Sequence, residues 1–481
     1  MRPARPSRPP RRARGAALAT VALTAALALP GSASAHGLVG KQDLPIPRWL
    51  FAWAAAVVLV ASFVGLAVLW ATPRLQSVVE RRRLGIARAL EIVSGVLGVA
   101  LFALVVYAGF AGTQAPTANI LPTVVYVFFW VGIPLLSVIF GDVFRAINPW
   151  LAIGKAAGWV MKRTGAADGV EPLPYPERLG RWPVVIGILI FAWIELVYSN
   201  KDDPSQLATM ALVYAAVQLV GMSLYGTEMW SRRGDAFGVY FAMFARISPL
   251  HWRDRALFTR PVLGGAPPLT PVAGTVALLC VMIGTTSFDG ASQGTTWNSI
   301  VPHLQDFFGN LGFNAEHALE WAGTVGIVVM CCLIGLLYRL GVLGMHTVGR
   351  RLSTHDLSGA FVHTLIPIAF AYVLAHYFSL VAYQGQAIAA LASDPLGDGS
   401  NLLGTASETI NYTWISATGI WYVQVGALVL GHVAGLTLAH DRALALFTKA
   451  RDATRSQYWM LAVMVAFTSL GLWLLSAAAQ Q

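Results

Sequence analysis

The chain has 481 residues, 56% of them hydrophobic and only 12% charged, with a mean hydropathy of +0.62; soluble domains are about a quarter charged. This balance excludes an ordinary soluble enzyme and specifies an all-α, polytopic transmembrane helix bundle. The formal net charge of +10 does not point to nucleic acid, because Arg2, Arg5, Arg8, Arg11, Arg12 and Arg14 sit at the start of the chain with no acid beside them, and without them the charge is +4.

Those arginines precede an apolar core, GAALATVALTAALAL, and a small-residue site, Ala33-Ser34-Ala35. That order is the pattern of a cleaved secretory signal peptide over 1–35, leaving a single integral membrane domain over 36–481. The mature chain then begins at His36, whose α-amine and imidazole together are able to chelate Cu(II); the plainer alternative is that His36 only marks the cut.

Apolar runs of about 20 residues, the length that spans a bilayer, fall near 49–71, 86–110, 120–141, 183–199, 205–226, 271–287, 320–343, 359–382, 414–440 and 456–477. With the mature N-terminus outside, these ten spans leave 24 basic residues in inner loops against Lys41, Arg48 and Lys201 in outer ones. The positive-inside rule then predicts a multi-pass protein of the bacterial plasma membrane with both mature ends outside. Its expected partners are the lipid bilayer, a small-molecule or metal ligand arriving from the outer side, and other membrane-protein subunits.

Two long inner loops carry the segments NPWLAIGKAAGWVMKR and GDAFGVYFAMFARISPL, which read as helices lying on the inner membrane face. The outer loops are different. From Ser287 to Tyr338 there is no Lys or Arg, while Asp289, His303, Asp306, Glu316, His317 and Glu320 all occur. An acidic, histidine-bearing rim attracts cations, although topology alone also removes positive charge there. Cys280, Cys331 and Cys332 lie in apolar spans and read as buried small hydrophobes. No P-loop, GxSxG, HExxH or CxxC motif is present, so neither ATP-driven transport nor a familiar hydrolase site is supported.

The richest stretch runs from His363 to His440, read as two spans carrying four histidines. Polar side chains at membrane depth are costly and are usually paired or functional. Tyr372, His376, Ser379 and Tyr383 recur at helical spacing on one face. Pro367 removes the hydrogen bond to the His363 carbonyl and predicts a kink. Gly431 and Gly435 flank His432 with a spacing that lets a neighbouring backbone approach. At a rise of 1.5 Å per residue, His376, Glu195 and Gln424 lie roughly 7 Å outside the midplane, while His363, His432 and Glu91 lie roughly 7 to 12 Å inside it.

These heights predict two clusters. The outer one offers His376, Glu195, Gln424 and Tyr372 as catalytic candidates, and a carboxylate with a histidine suits general-base work, a proton relay or a divalent metal. The candidate metal ligands are His376, Glu195, His432, His363, His36 and Asp289, for Zn, Mn or Cu. Interhelical hydrogen bonding is the structural alternative for His376 and Glu195, and an ion pair near Arg88 is the expected role of Glu91. The stripe Tyr214, Gln218, Met222 and Tyr225 reads as packing, and His440-Asp441-Arg442 as a solvated cap.

HGLVGKQDLPIP before the first span, AHYFSLVAYQGQ, SDPLGDG and GHVAGLTLAHDRAL together resemble actinobacterial polytopic membrane proteins named fenitrothion hydrolases. The resemblance touches both ends of the mature chain and implies membrane-bound hydrolysis of an organophosphate triester, with His376 and His432 as the positions inside the matching motifs. Two other functions remain open: a secondary transporter or copper-handling permease, suggested by the broken eighth span and the stacked polar clusters, and a non-catalytic membrane assembly subunit.

Overall fold

The structure, a computed structural model, describes residues 48–165, 171–348 and 352–478. The signal segment and His36 lie outside the described residues. In chain order the elements are α1 (Arg48–Leu69), β1 (Arg81–Gly85), α2 (Arg88–Ala111), α3 (Ile120–Phe140), α4 (Val143–Ile147), α5 (Pro149–Thr164), α6 (Trp182–Leu196), α7 (Pro204–Tyr225), α8 (Thr227–Arg233) and α9 (Ala236–Ala245). They continue with β2 (Leu250–Arg253), β3 (Ala256–Thr259), α10 (Thr275–Ser292), α11 (Thr295–Asn310), α12 (Ala315–Val348), α13 (Thr354–Phe361), α14 (Leu365–Gln384), α15 (Ile388–Ser393), α16 (Ala417–Leu446) and α17 (Ala450–Ala478).

The chain is 72% helical. Among the described residues seven helices are long and apolar enough to cross a membrane: α2, α3, α7, α10, α12, the run Thr354–Ser393 and α16. The remaining apolar ranges read as spans coincide with α1, α6 and α17. Exposed apolar side chains on these helices, such as Val96 at 63%, Val213 at 59% and Leu430 at 70%, are what a lipid-facing surface requires, since lipid is as apolar as leucine.

Local sequence explains the irregular elements. In α3 the residues Val124–Gly132 form a π-helical stretch just before Pro134, which has no N–H with which to hold the tighter α pattern. The run from Thr354 to Gln384 is broken by a 3-10 turn at Val362–Thr364, where Pro367 has no N–H to donate to the His363 carbonyl four residues back. The expected break is there.

Helices α14 and α16 pack closely along their length in the core. A Cβ on Gly431 would lie 2.2 Å from that of Ala371 and 2.8 Å from the Pro367 carbonyl oxygen, and one on Gly435 would lie 3.0 Å from the Thr364 carbonyl oxygen. The small-residue spacing therefore does what it predicts. Gly431→Val is expected to destabilise the bundle by about 1–3 kcal/mol through overpacking, read as a lowered melting temperature in detergent; a wild-type melt would mean that the two helices do not meet there.

Three expectations are corrected. First, β1, β3 and β2 form a small antiparallel sheet in that order, beside the basic loops, an element that helix-period reading of an apolar chain does not anticipate. Second, α9 does not lie on a membrane face. Phe237, Tyr240, Phe241 and Phe244 share one helical face, are each no more than 5% exposed and pack into the main core, and Val239 and Met243 on the opposite face are buried as well, so the helix is apolar all round and has no polar face to turn to water; α5, the other such segment, does keep an exposed face. Third, His440-Asp441-Arg442 is no solvated cap. Asp441 is fully buried and accepts hydrogen bonds from Trp70 Nε1 (3.0 Å), the Arg74 and Leu75 amides (2.5 and 3.1 Å) and Gln76 Nε2 (2.7 Å), fastening the chain after α1 onto α16.

The Tyr214 stripe is packing, as read. Tyr214 donates to Asp235 (2.8 Å), Gln218 accepts from Trp230 (2.8 Å), and Tyr225 stacks on the Trp230 ring.

Candidate functional site

The polar cluster is built where α6, α10 and α14 meet the π stretch of α3. Asp289 stands in the last turn of α10, and its Oδ2 is 2.8 Å from Nε2 of His376 in the middle of α14, with the two side chains 14% and 19% exposed. An ionised carboxylate only accepts, so this ring nitrogen carries the hydrogen. Tyr377, the next residue along α14, places its hydroxyl within reach of both Asp289 and Glu195. Glu195 comes from the last turn of α6, and its Oε2 is buried without a hydrogen-bond partner.

An aromatic wall flanks the cluster. Trp130, from the π stretch, stacks on Tyr240 of α9 at 4.8 Å and meets Phe191 at 4.7 Å. Its indole N–H faces Glu195 and Tyr377 but is left without a partner in hydrogen-bond geometry. The wider π turn thus delivers an unspent donor beside an unspent acceptor. Buried polar atoms are seldom left unpaired unless a function uses them.

Beside His376 a cavity of about 20 Å³ is lined by Ser287, Gly290, Tyr372 and Leu428 among others. That is room for about one water, and the buried Ser287 hydroxyl has no partner among the described residues. Toward the end predicted to face outward, Glu320 accepts from the Ser199 amide and hydroxyl at 3.1 and 2.9 Å and stands 3.3 Å from His317, while the Tyr126 hydroxyl donates to the Lys201 carbonyl at 2.7 Å.

Of the predicted outer cluster, His376 and Glu195 are brought into one group, and Asp289 joins them. Asp289 had been placed on the outer rim because the apolar run stops at Ser287, but α10 continues to Ser292 and carries it inside. Tyr372 lines the cavity, yet its hydroxyl is committed to the Phe467 carbonyl at 3.0 Å. Gln424 forms no hydrogen bond with the group. Tyr377, Trp130 and Tyr240 were missed: Tyr377 lies one residue, or about 100°, off the stripe that includes His376, and nothing local marks the other two.

The predicted inner cluster does not form. Glu91 pairs with Lys155 at 2.7 Å on a half-exposed face of α2, with Lys155 taking the place expected near Arg88. His432 bonds through Nδ1 to the Leu428 carbonyl at 2.7 Å, one turn back in its own helix, and His363 is buried near Arg442 and Arg246. Equal height does not imply the same side of a bundle. Among the described residues no group of three or more His, Cys, Asp or Glu stands together as metal ligands, so Asp289 and His376 have no third such donor at coordinating distance.

Fold and site together define a mostly helical, multi-pass bundle of membrane type with a polar cluster enclosed by its helices. No family model, no curated protein and no solved structure matches this chain.

Proposed function

We propose that the protein is a ten-span plasma-membrane protein whose Asp289–His376–Tyr377–Glu195 cluster carries a proton between the outer aqueous side and the bundle interior, the equipment of a secondary transporter for a small molecule. The observation that carries this reading is the 2.8 Å contact of His376 with Asp289 inside the helices. Ionisable groups at this depth mark ion and proton pathways. His376 is paired with Asp289, while among the described residues Glu195 has no cation within 4 Å; it is the group left to take up and release a proton through the Tyr377 hydroxyl. The π stretch in α3, which carries Trp130 to the cluster, is the kind of interrupted helix that transporters place at their sites.

A second reading keeps the chemistry and changes its use. The cavity beside His376 has room for one water, and a histidine held by a carboxylate is a general base; hydrolysis of an organophosphate triester, the activity implied by the family resemblance, would need both. Purified protein in proteoliposomes, assayed for uptake of small solutes and for cleavage of a phosphotriester, separates the two. Uptake without cleavage supports the transporter, cleavage without uptake the hydrolase, and neither, from a well-folded preparation over a broad panel, removes both. A metal-dependent version would require a donor besides those the described residues bring together, and loss of cleavage on chelation with recovery on adding Zn²⁺ or Mn²⁺ would support it.

The orientation is tested separately. In a background with the three native cysteines replaced, Leu402→Cys, in the outer loop and 70% exposed, should react with a membrane-impermeant thiol reagent on spheroplasts. Arg255→Cys, in the turn between β2 and β3, should react only after lysis. The reverse pattern inverts the topology.

A further inference from the structure

Four arginines converge on the loop between β3 and α10. Arg246 Nη1 donates to the Gly265 carbonyl at 2.9 Å, Arg442 Nη2 to the Pro267 carbonyl at 2.6 Å, and Arg181 Nη1 to the Thr270 carbonyl at 3.4 Å and the Thr275 hydroxyl at 2.7 Å. Arg260 lies over the same loop: a Cβ on Gly265 would meet its Cζ at 2.2 Å, and its own bonds go to the Ser248 and Ala245 carbonyls. The four come from α9, α16, the start of α6 and the end of the β2–β3 hairpin, so the convergence is tertiary and invisible to any local pattern.

The cluster lacks matching acids. Among the described residues only Arg260 has a carboxylate within 4 Å, Glu80 at 3.7 Å, and Glu80 already holds His251 at 2.8 Å and Arg253 at 3.3 Å. Asp142 and Asp441 act on Arg246 and Arg442 only at longer range, and Asp441 is saturated by the donors named above. Burial first, then the charges of Arg181 and Arg260, pushes Arg246 down to about 10, and burial first pushes Arg181 to about 10 as well. Nε of Arg181 and of Arg442 is buried without a partner, as are Nε2 of His363 and Oγ1 of Thr364. His363, with Arg442 and Arg246 as its charged neighbours, is 1% exposed and Thr364 is fully buried. Contact between Pro271 and Gly359 holds this loop against α13, just ahead of those two residues.

Guanidinium groups held by neutral carbonyls keep most of their five donors free and their charge uncompensated. A tetrahedral oxyanion answers both deficits, accepting bidentate bonds and cancelling charge. We propose that Arg181, Arg246, Arg260 and Arg442 form a binding site for a phosphate group on the basic side of the bundle. The group comes either from an anionic phospholipid headgroup, for which basic pockets between helices on this side are suited, or from a free phosphate ion. This site is at the end of the bundle remote from Asp289 and His376, and it stands or falls independently of the proton-carrying reading.

The test uses the full-length protein stripped of lipid in a neutral detergent. Inorganic phosphate is added against an equal ionic strength of chloride, and phosphatidylglycerol against phosphatidylcholine, with melting temperature and native mass as readouts. We expect a rise of several degrees with at least one phosphate source. Response to phosphatidylglycerol, with a retained lipid mass and none from inorganic phosphate, assigns a headgroup; response to both, or to the inorganic ion alone, assigns the free anion. Arg246→Gln with Arg442→Gln should abolish the response, while Arg442→Lys should keep part of it. No response from the wild type to either source overturns the proposal, as does an unchanged response in the double variant; should that variant fail to fold, the wild-type comparison decides alone.

Discussion

Replacing Asp289 by asparagine is expected to lower proton-coupled turnover by at least about 10²-fold, the scale set by positioned acid–base groups, while the bundle still assembles. The substitution keeps shape and leaves an oxygen to accept from His376, but it removes the charge that a protonated imidazole needs beside it. His376→Ala should lose as much, and Glu195→Gln should lose proton coupling because an amide can neither take up nor release the proton. The measurement is solute uptake with simultaneous internal pH, and phosphotriester cleavage, in proteoliposomes holding equal amounts of each variant. Each variant must first elute and melt like the wild type, since breaking one side of a buried pair costs about 3–5 kcal/mol when the survivor stays charged. Turnover by well-folded Asp289→Asn equal to wild type would remove this cluster from the mechanism.

The largest stability loss is expected at Asp441, far from that site. Asp441→Ala strands the Trp70 indole, the Arg74 and Leu75 amides and the Gln76 side chain, and each buried orphan costs about 1–3 kcal/mol. Partial relaxation and water entry reduce the sum, so a net loss of about 3 kcal/mol or more is expected, read as a sharply lower melting temperature and poor recovery from the membrane. Asp441→Asn turns an amide NH₂ toward a set of donors and should also destabilise, though less. The pattern to look for is Ala worse than Asn, and Asn worse than wild type; three equal melts would mean that the segment after α1 is not fastened to α16.

The bundle was legible because bilayer thickness and helical rise translate directly into the length of an apolar run, and each run read as a span falls on a helix. Pro367 and the Gly431–Gly435 pair were legible for similar reasons: each acts through its own helix or the one packed against it. Asp289 shows where this stops. Hydropathy ends a span at the last apolar residue, whereas α10 runs on to Ser292, and the residue taken for a rim acid becomes the partner of His376. Asp441 shows the opposite error, a charged triplet at a span end that the chain after α1 covers completely. Tyr377, Trp130 and the four arginines around the 265–270 loop could not have been found by spacing, because what brings them together is the packing of helices distant in sequence.

The central claim is that Glu195 holds an exchangeable proton beside the Asp289–His376 pair, and infrared difference spectroscopy on the purified protein tests it without knowledge of the substrate. The account predicts a protonated-carboxyl band that shifts on transfer to D₂O within minutes, titrates with pH and disappears in Glu195→Gln while persisting in Glu91→Gln. A spectrum with no such band at any pH from 4 to 9, or a band untouched by Glu195→Gln, would contradict it.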